Sequence, residues 1–233
     1  MRASYGCYAA AKEFGVPFIS GKDSLYNEFS VHGKSTSIPG TLLISAISVM
    51  EDVNKCVSMY AKEAGNLIYV VGKSYDELGG SHYYDLYGSV GNHVPEVRYR
   101  QAKKIFAALS SASGKGLVKA MHDCSDGGLG VALAEMAFSG GLGAEIFLSG
   151  VPYESKLRRN DFLLFSESNS RFVVEIEKKD REEFEKTLRG VDFCLAGCLT
   201  AEKSFKIYGL DGKVCVKADW LRLKESWQKP LRW

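Results

Sequence analysis

Long hydrophobic runs are missing from this 233-residue sequence. Its longest apolar stretches, residues 42–47 and 67–71, fall far short of the roughly 20 residues needed to cross a bilayer, so a membrane-spanning protein is not expected. A charge excess is missing too. Thirty Lys plus Arg stand against 28 Asp plus Glu, and the formal net charge of +2 gives no global field that favours nucleic acid or an anionic membrane surface. No signal peptide is expected, because Met1-Arg2-Ala3-Ser4 leads into a short helical pattern without a cleavage site. The six cysteines (Cys7, Cys56, Cys124, Cys194, Cys198, Cys215) include no pair with the two-residue gap of a zinc knuckle or redox motif. Cys194 and Cys198 have three residues between them and no second ligand pair, so buried free thiols in a reducing cytoplasm are expected. The four histidines are dispersed, which argues against a histidine-based transition-metal site. What remains is an ordinary globular composition, 45% hydrophobic and 25% charged, sized for one large domain or two modest ones. Glycine is in excess: 24 residues against an average usage of about 7%.

Periodicity predicts a helix over residues 7–14 stopped by Gly15, then a short strand over 16–20 and a glycine loop. A strand over 25–31 and a strand buried on both faces over 41–49 follow, with short helical turns over 53–61. Gly65-Asn66 breaks the pattern, and residues 67–72 open a second domain. Its expected helices cover 95–112, 129–138 and 181–188, with a shorter one over 81–87; its strands cover 117–121, 144–148, 171–176 and 193–199. A hairpin over 205–216 turns at Asp211-Gly212. The alternation is α/β or α+β, not a bundle or a sandwich. Trp220, Trp227 and Trp233 are read as docking residues.

Three constellations carry candidate chemistry. Ser20-Gly21-Lys22-Asp23-Ser24 follows a strand: amides beside glycine can surround a phosphate, lysine can neutralise it, and aspartate can hold a hard cation. The spacing is not that of a Walker loop, and a strand-end turn with solvated charges is the plainer alternative. His122-Asp123-Cys124-Ser125-Asp126-Gly127-Gly128 lies between a strand and a helix, where two carboxylates beside a helix N-terminus suit a magnesium nucleotide. Asp126 is read as the N-cap of that helix, and His122 as a general base or a packed histidine. Ser166-Glu167-Ser168-Asn169-Ser170-Arg171 precedes a strand and can grip a sugar phosphate, with Arg171 holding Glu167, or can form a polar turn.

Together with Leu78-Gly79-Gly80-Ser81-His82-Tyr83, and with Leu25-Tyr26-Asn27-Glu28 extending the first motif, these segments occur in an order that resembles phosphoribosylformylglycinamidine synthase, in the second half of its synthetase subunit. The resemblance runs over nearly the whole chain. It implies an aminoimidazole ribonucleotide synthetase-like α/β (α+β) fold, with residues 1–64 as a partial N-terminal domain and 65–233 as a complete C-terminal one. It further implies a ligase that uses ATP, through ADP release and Mg2+, to convert formylglycinamide ribonucleotide and glutamine-derived ammonia into the amidine in purine biosynthesis. By the same resemblance, Gly21, Lys22, Ser125 and Gly127 contact nucleotide or phosphate. Ser24, Glu167, Ser168 and Asn169 contact substrate, and Asp23, Glu51 and Asp123 bind metal. Four residues after Glu51 the family pattern has asparagine where this chain has Lys55, whose ammonium could replace a cation's charge. The catalytic histidine belongs to a first half that this chain lacks, so the chain is expected to be a fragment, inactive alone. Expected partners are that first half, a glutaminase domain or subunit, and a second copy of the chain; the expected location is the cytoplasm. Other readings are a different ATP-using member of the superfamily or a non-catalytic nucleotide-binding and assembly module.

Overall fold

A computed structural model describes residues 1–24, 26–154 and 158–232. Leu25, with which the expected strand 25–31 begins, and Trp233 lie outside the described residues. The chain forms two compact units, Met1–Val53 and Asn54–Trp233.

The first unit holds helix α1 (Arg2–Phe14) and a hairpin of β1 (Glu28–Val31) and β2 (Lys34–Ser37). Gly15 ends α1 in the left-handed conformation, as its place after the periodic run predicts. The hairpin was not expected: only its first strand was, within residues 25–31. His32 (φ 49°) and Gly33 (φ 76°) both adopt positive φ, the condition for a two-residue turn whose twist matches the strands. Residues 16–20 and 41–49, expected as strands, have no strand structure. The reason is physical: an apolar strand persists only beside a partner, and here Leu43, Ile47 and Val49 are 85%, 87% and 94% exposed.

The second unit is a seven-stranded sheet in the order β4-β6-β3-β7-β5-β8-β9. Its strands are β3 (Leu67–Val71), β4 (Ala120–Asp123), β5 (Gly143–Phe147), β6 (Phe172–Ile176), β7 (Phe193–Thr200), β8 (Ser204–Tyr208) and β9 (Val214–Asp219). Neighbours are antiparallel except β5 and β8. The apolar run of β3 is buried on both faces because helices cover both. Ile68 and Val70 join a core under α4 (Gly128–Gly140) and α5 (Asn160–Phe165), whereas Tyr69 and Val71 pack with Ile105 and Leu109 of α3 (Tyr99–Gly114) and Phe184 of α6 (Arg181–Thr187). Burial of each such side chain contributes about 1.5–3 kcal/mol. The short α2 (His82–Asp85) begins at Ser81, whose hydroxyl accepts from Tyr84 N. The last helix, α7 (Trp220–Gln228), begins at Asp219, whose carboxylate accepts from Leu221 N. Trp227 packs on Phe138 with ring centroids 6.0 Å apart, the docking role expected of it. No disulfide joins the six cysteines, but the expectation of buried thiols is corrected: Cys124 alone is buried, Cys7, Cys194 and Cys198 are half-buried, and Cys56 and Cys215 are exposed.

One buried charge ties residues 62–66 to the sheet. Glu175 of β6 is 0% exposed, and its carboxylate accepts from Lys62 N (2.8 Å), Glu63 N (3.1 Å) and Asn66 Nδ2 (2.7 Å). Glu175→Ala strands these donors and is expected to cost about 3 kcal/mol in urea unfolding of the full chain; a loss under about 1 kcal/mol would show that water serves them instead.

Candidate functional site

β4 ends at Asp123, the chain turns through Cys124 to Gly127, and α4 begins at Gly128. The turn is closed by Gly128 N donating to Ser125 O at 3.0 Å. Gly128 has φ 68° and lies so close to the Ser166 carbonyl that a Cβ would overlap it, so only glycine lets the helix start there. The N-cap of α4 is Gly127, with no side-chain cap. The reading of Asp126 as N-cap is therefore corrected. The left-handed Gly127 makes the turn, and the exposed Asp126 carboxylate lies 3.9 Å from His82 Nε2.

Asp123 and Ser125 are brought together: the Ser125 hydroxyl donates to Asp123 Oδ2 in a short hydrogen bond. His122 Nδ1 lies 3.3 Å from Asp123 Oδ1, and its Nε2 lies 2.8 Å from Glu135 Oε2 on α4. Partial burial opposes ionisation of Asp123, but the Ser125 hydroxyl and His122 outweigh it and hold the carboxyl below the ordinary aspartate value of 3.8.

The third constellation packs behind this turn. Ser166 and Ser168 are both 0% exposed. The Ser168 hydroxyl accepts from Tyr75 N (3.0 Å) and pairs with Ser166 Oγ (2.8 Å), so it faces the protein interior; Asn169 is exposed. Glu167 is engaged by backbone: its Oε1 accepts from Gly127 N (2.9 Å) and His82 N (3.1 Å). The expected Arg171–Glu167 hold is thus corrected. Arg171, 1% exposed, donates to the Ser168 carbonyl (3.0 Å), the Ser74 hydroxyl (2.8 Å) and the Ser166 carbonyl. Burial pulls its affinity for a proton below the ordinary arginine value. A buried guanidinium turns to the nearest carbonyls, and Glu167 is left to the helix N-terminus, where a carboxylate is favoured.

Within the first unit, Lys22 Nζ donates to Asp23 O (2.6 Å) and Ser24 Oγ (2.7 Å), so the loop 21–24 folds back on its own lysine. Glu51 is exposed at a bend, and Lys55 ends a turn of 3-10 helix over Val53–Lys55. Among the described residues, no three His, Cys, Asp or Glu side chains converge as a metal site. Asp123 fits a sparser mode, in which magnesium uses one carboxylate and takes its other oxygens from phosphate and water. Its side chain is 58% exposed and its carboxyl is held acidic.

Two residues escaped sequence reasoning. Glu135 is the one charged residue in the otherwise apolar α4, and that isolation was the available signal. Glu77, buried under Arg98 at 2.7 Å, carried none, because its partner lies 21 residues away in an irregular stretch.

The sequence model of the family described as AIR synthase related protein, C-terminal domain, matches residues 63–209, and the chain belongs to this family. The phosphoribosylformylglycinamidine synthase subunit PurL of Methanopyrus kandleri is 35% identical over 234 residues, 100% of this chain and 31% of that protein. The subunit of the same name from Methanothrix thermoacetophila is 34% identical over 218 residues, covering 93% of this chain and 27% of its own length. The chain thus spans between a quarter and a third of these relatives. Among solved structures, T. maritima PurL complexed with FGAR superposes with a TM-score of 0.65 at 20% identity, over 73% of this chain and 30% of that one. E. coli HypE, a hydrogenase maturation protein, gives 0.52 at 22% identity, over 70% and 51%. These structural likenesses speak for the α/β fold expected from sequence.

A carboxyl acidified by folding stabilises the folded state above its ordinary value, and that stability is lost as the pH falls through the folded value. Ser125→Ala is therefore expected to raise the Asp123 titration midpoint in carboxyl NMR and to reduce the acid sensitivity of the fold below about pH 4. An unmoved midpoint would mean that the hydroxyl does not hold the carboxylate.

Proposed function

We propose that this chain is part of the second half of an ATP-dependent carbon–nitrogen ligase, a phosphoribosylformylglycinamidine synthase, with residues 1–64 belonging to its N-terminal domain and 65–233 forming its C-terminal one. The observation that carries this reading is the likeness to the Methanopyrus kandleri subunit along the entire chain. The reaction converts formylglycinamide ribonucleotide, ATP and glutamine-derived ammonia into the amidine. In such phosphoryl transfer the protein acts mainly by positioning and electrostatics.

Within the second unit, Asp123 and Ser125 are the nucleotide-side residues, with Asp123 the one to hold magnesium. When bound, that ion supplies charge neutralisation at the transferring phosphoryl group. Ser125 keeps the Asp123 carboxylate ionised and aimed. Gly127, Glu167 and Ser168 form the frame of the turn, and the exposed Asn169 is the substrate-side candidate of its segment. In the first unit, Gly21, Lys22 and Ser24 are the phosphate- and substrate-binding candidates, and Asp23 and Glu51 the metal-binding ones. The exposed Leu43, Ile47 and Val49 support a protein partner for that unit: a first half of the synthetase, or a second copy of the chain. A glutaminase is the source of ammonia. Free cysteines fit a cytoplasmic setting, and among the described residues no helix is long and apolar enough to cross a membrane.

The purified chain is expected to bind ATP and ADP in calorimetry and to form no amidine from formylglycinamide ribonucleotide, ATP and ammonia. Mixing it with a first-half segment of a related synthase is expected to bring amidine formation. Amidine formation by the chain alone would sink the partial-enzyme reading. Nucleotide binding without amidine formation in the mixture would favour the non-catalytic module, and absence of nucleotide binding would sink both.

A further inference from the structure

A charged residue on an apolar helix has to be solvated by something. Glu135 is that residue on α4, and its side chain is 23% exposed. Both of its oxygens are engaged: Oε2 lies 2.8 Å from His122 Nε2, and Oε1 accepts from Trp227 Nε1 of α7 at 2.9 Å. A carboxylate only accepts, so each ring nitrogen donates to it. Glu135 cannot rotate without losing one bond. The His122 ring, 15% exposed, is thereby held by its Nε2 edge, and its Nδ1 edge faces Asp123 Oδ1 at 3.3 Å, a contact that draws the two side chains together when Nδ1 carries a proton. The other Asp123 oxygen is held by Ser125. Asp123 is the last residue of an edge strand, and its side chain is more than half exposed. It would swing freely without such restraint.

We propose that Glu135 is a positioning residue for Asp123, acting through His122, and that Trp227 makes helix α7 part of the same chain of contacts. The arrangement is a carboxylate orienting a histidine that abuts a carboxylate destined for a cation, the kind of outer contact that sets metal affinity. It rests on the reading of Asp123 as the residue that meets magnesium with its nucleotide. A purely structural role, tying α7 to α4 through the Trp227–Phe138 contact, predicts a different result.

The test uses the full chain. Calorimetry measures ATP affinity in magnesium and in EDTA, and long-range 1H–15N spectra report which His122 nitrogen carries the proton. Glu135→Gln is expected to weaken ATP binding in magnesium by about tenfold, to leave binding in EDTA unchanged, and to alter the His122 ring and Asp123 carboxyl resonances. Trp227→Phe is expected to act in the same direction with a smaller loss, which keeps the inference testable if Glu135→Gln folds poorly. Equal weakening in both conditions, or a lower melting temperature with both affinities unchanged, overturns it. If the unsubstituted chain binds no ATP in magnesium, the nucleotide reading falls, and the positioning is judged by the spectra alone. An unaltered His122 pattern in Glu135→Gln then overturns it, and a displaced Asp123 carboxyl signal upholds it.

Discussion

A guanidinium with no carboxylate in hydrogen-bond contact among the described residues organises one end of the sheet. Burying a cation costs several kcal/mol after relaxation, and it is tolerated only where dipoles converge on it. Around Arg171 they do: two carbonyls, of Ser166 and Ser168, and the hydroxyl of Ser74. Because those groups belong to different loops, one side chain fixes the segment after β3 and the segment before β6 together. Its own carbonyl accepts Cys124 N at 2.9 Å, which adds the turn between β4 and α4. The turn that follows Asp123 is thus referenced to Arg171.

At the other end of the same strand, Glu175 does for residues 62–66 what Arg171 does for the loops. Between the two charges β6 is apolar, with Val173 and Val174 turned into opposite cores. A mispaired register would bring one of these ions against apolar side chains. The charges therefore specify alignment as well as adding stability.

The elements legible in the sequence were those whose pattern is satisfied locally or on both faces. Residues 67–71 formed an interior strand of the sheet, and the Gly15 stop and the Asp211-Gly212 hairpin lie where turn chemistry places them. Residues 41–49 have the same apolar character yet form no strand, because the pattern records what a strand would bury and not whether a neighbour is there. Helices α5 and α7 escaped because their short segments mix aromatic and charged residues without a clear stripe. In the site, sequence located the turn of Asp123 and Ser125. It did not reveal that Ser166 and Ser168 face inward, or that Glu135 stands behind His122, because those facts depend on contacts between distant segments. The glycine excess proved partly architectural: a Cβ on Gly197 would overlap the Glu145 carbonyl of the neighbouring strand.

The carboxylate of Glu167 already sits where an anion would be drawn, on the amides of Gly127 and His82. The helix N-terminus therefore carries an internal competitor. A phosphate arriving at those two amides would exchange with Glu167 rather than fill open space, and the displaced carboxylate would need a new counter-charge. Occupancy of that point by another anion would thus be conditional on rearrangement of the 166–168 segment.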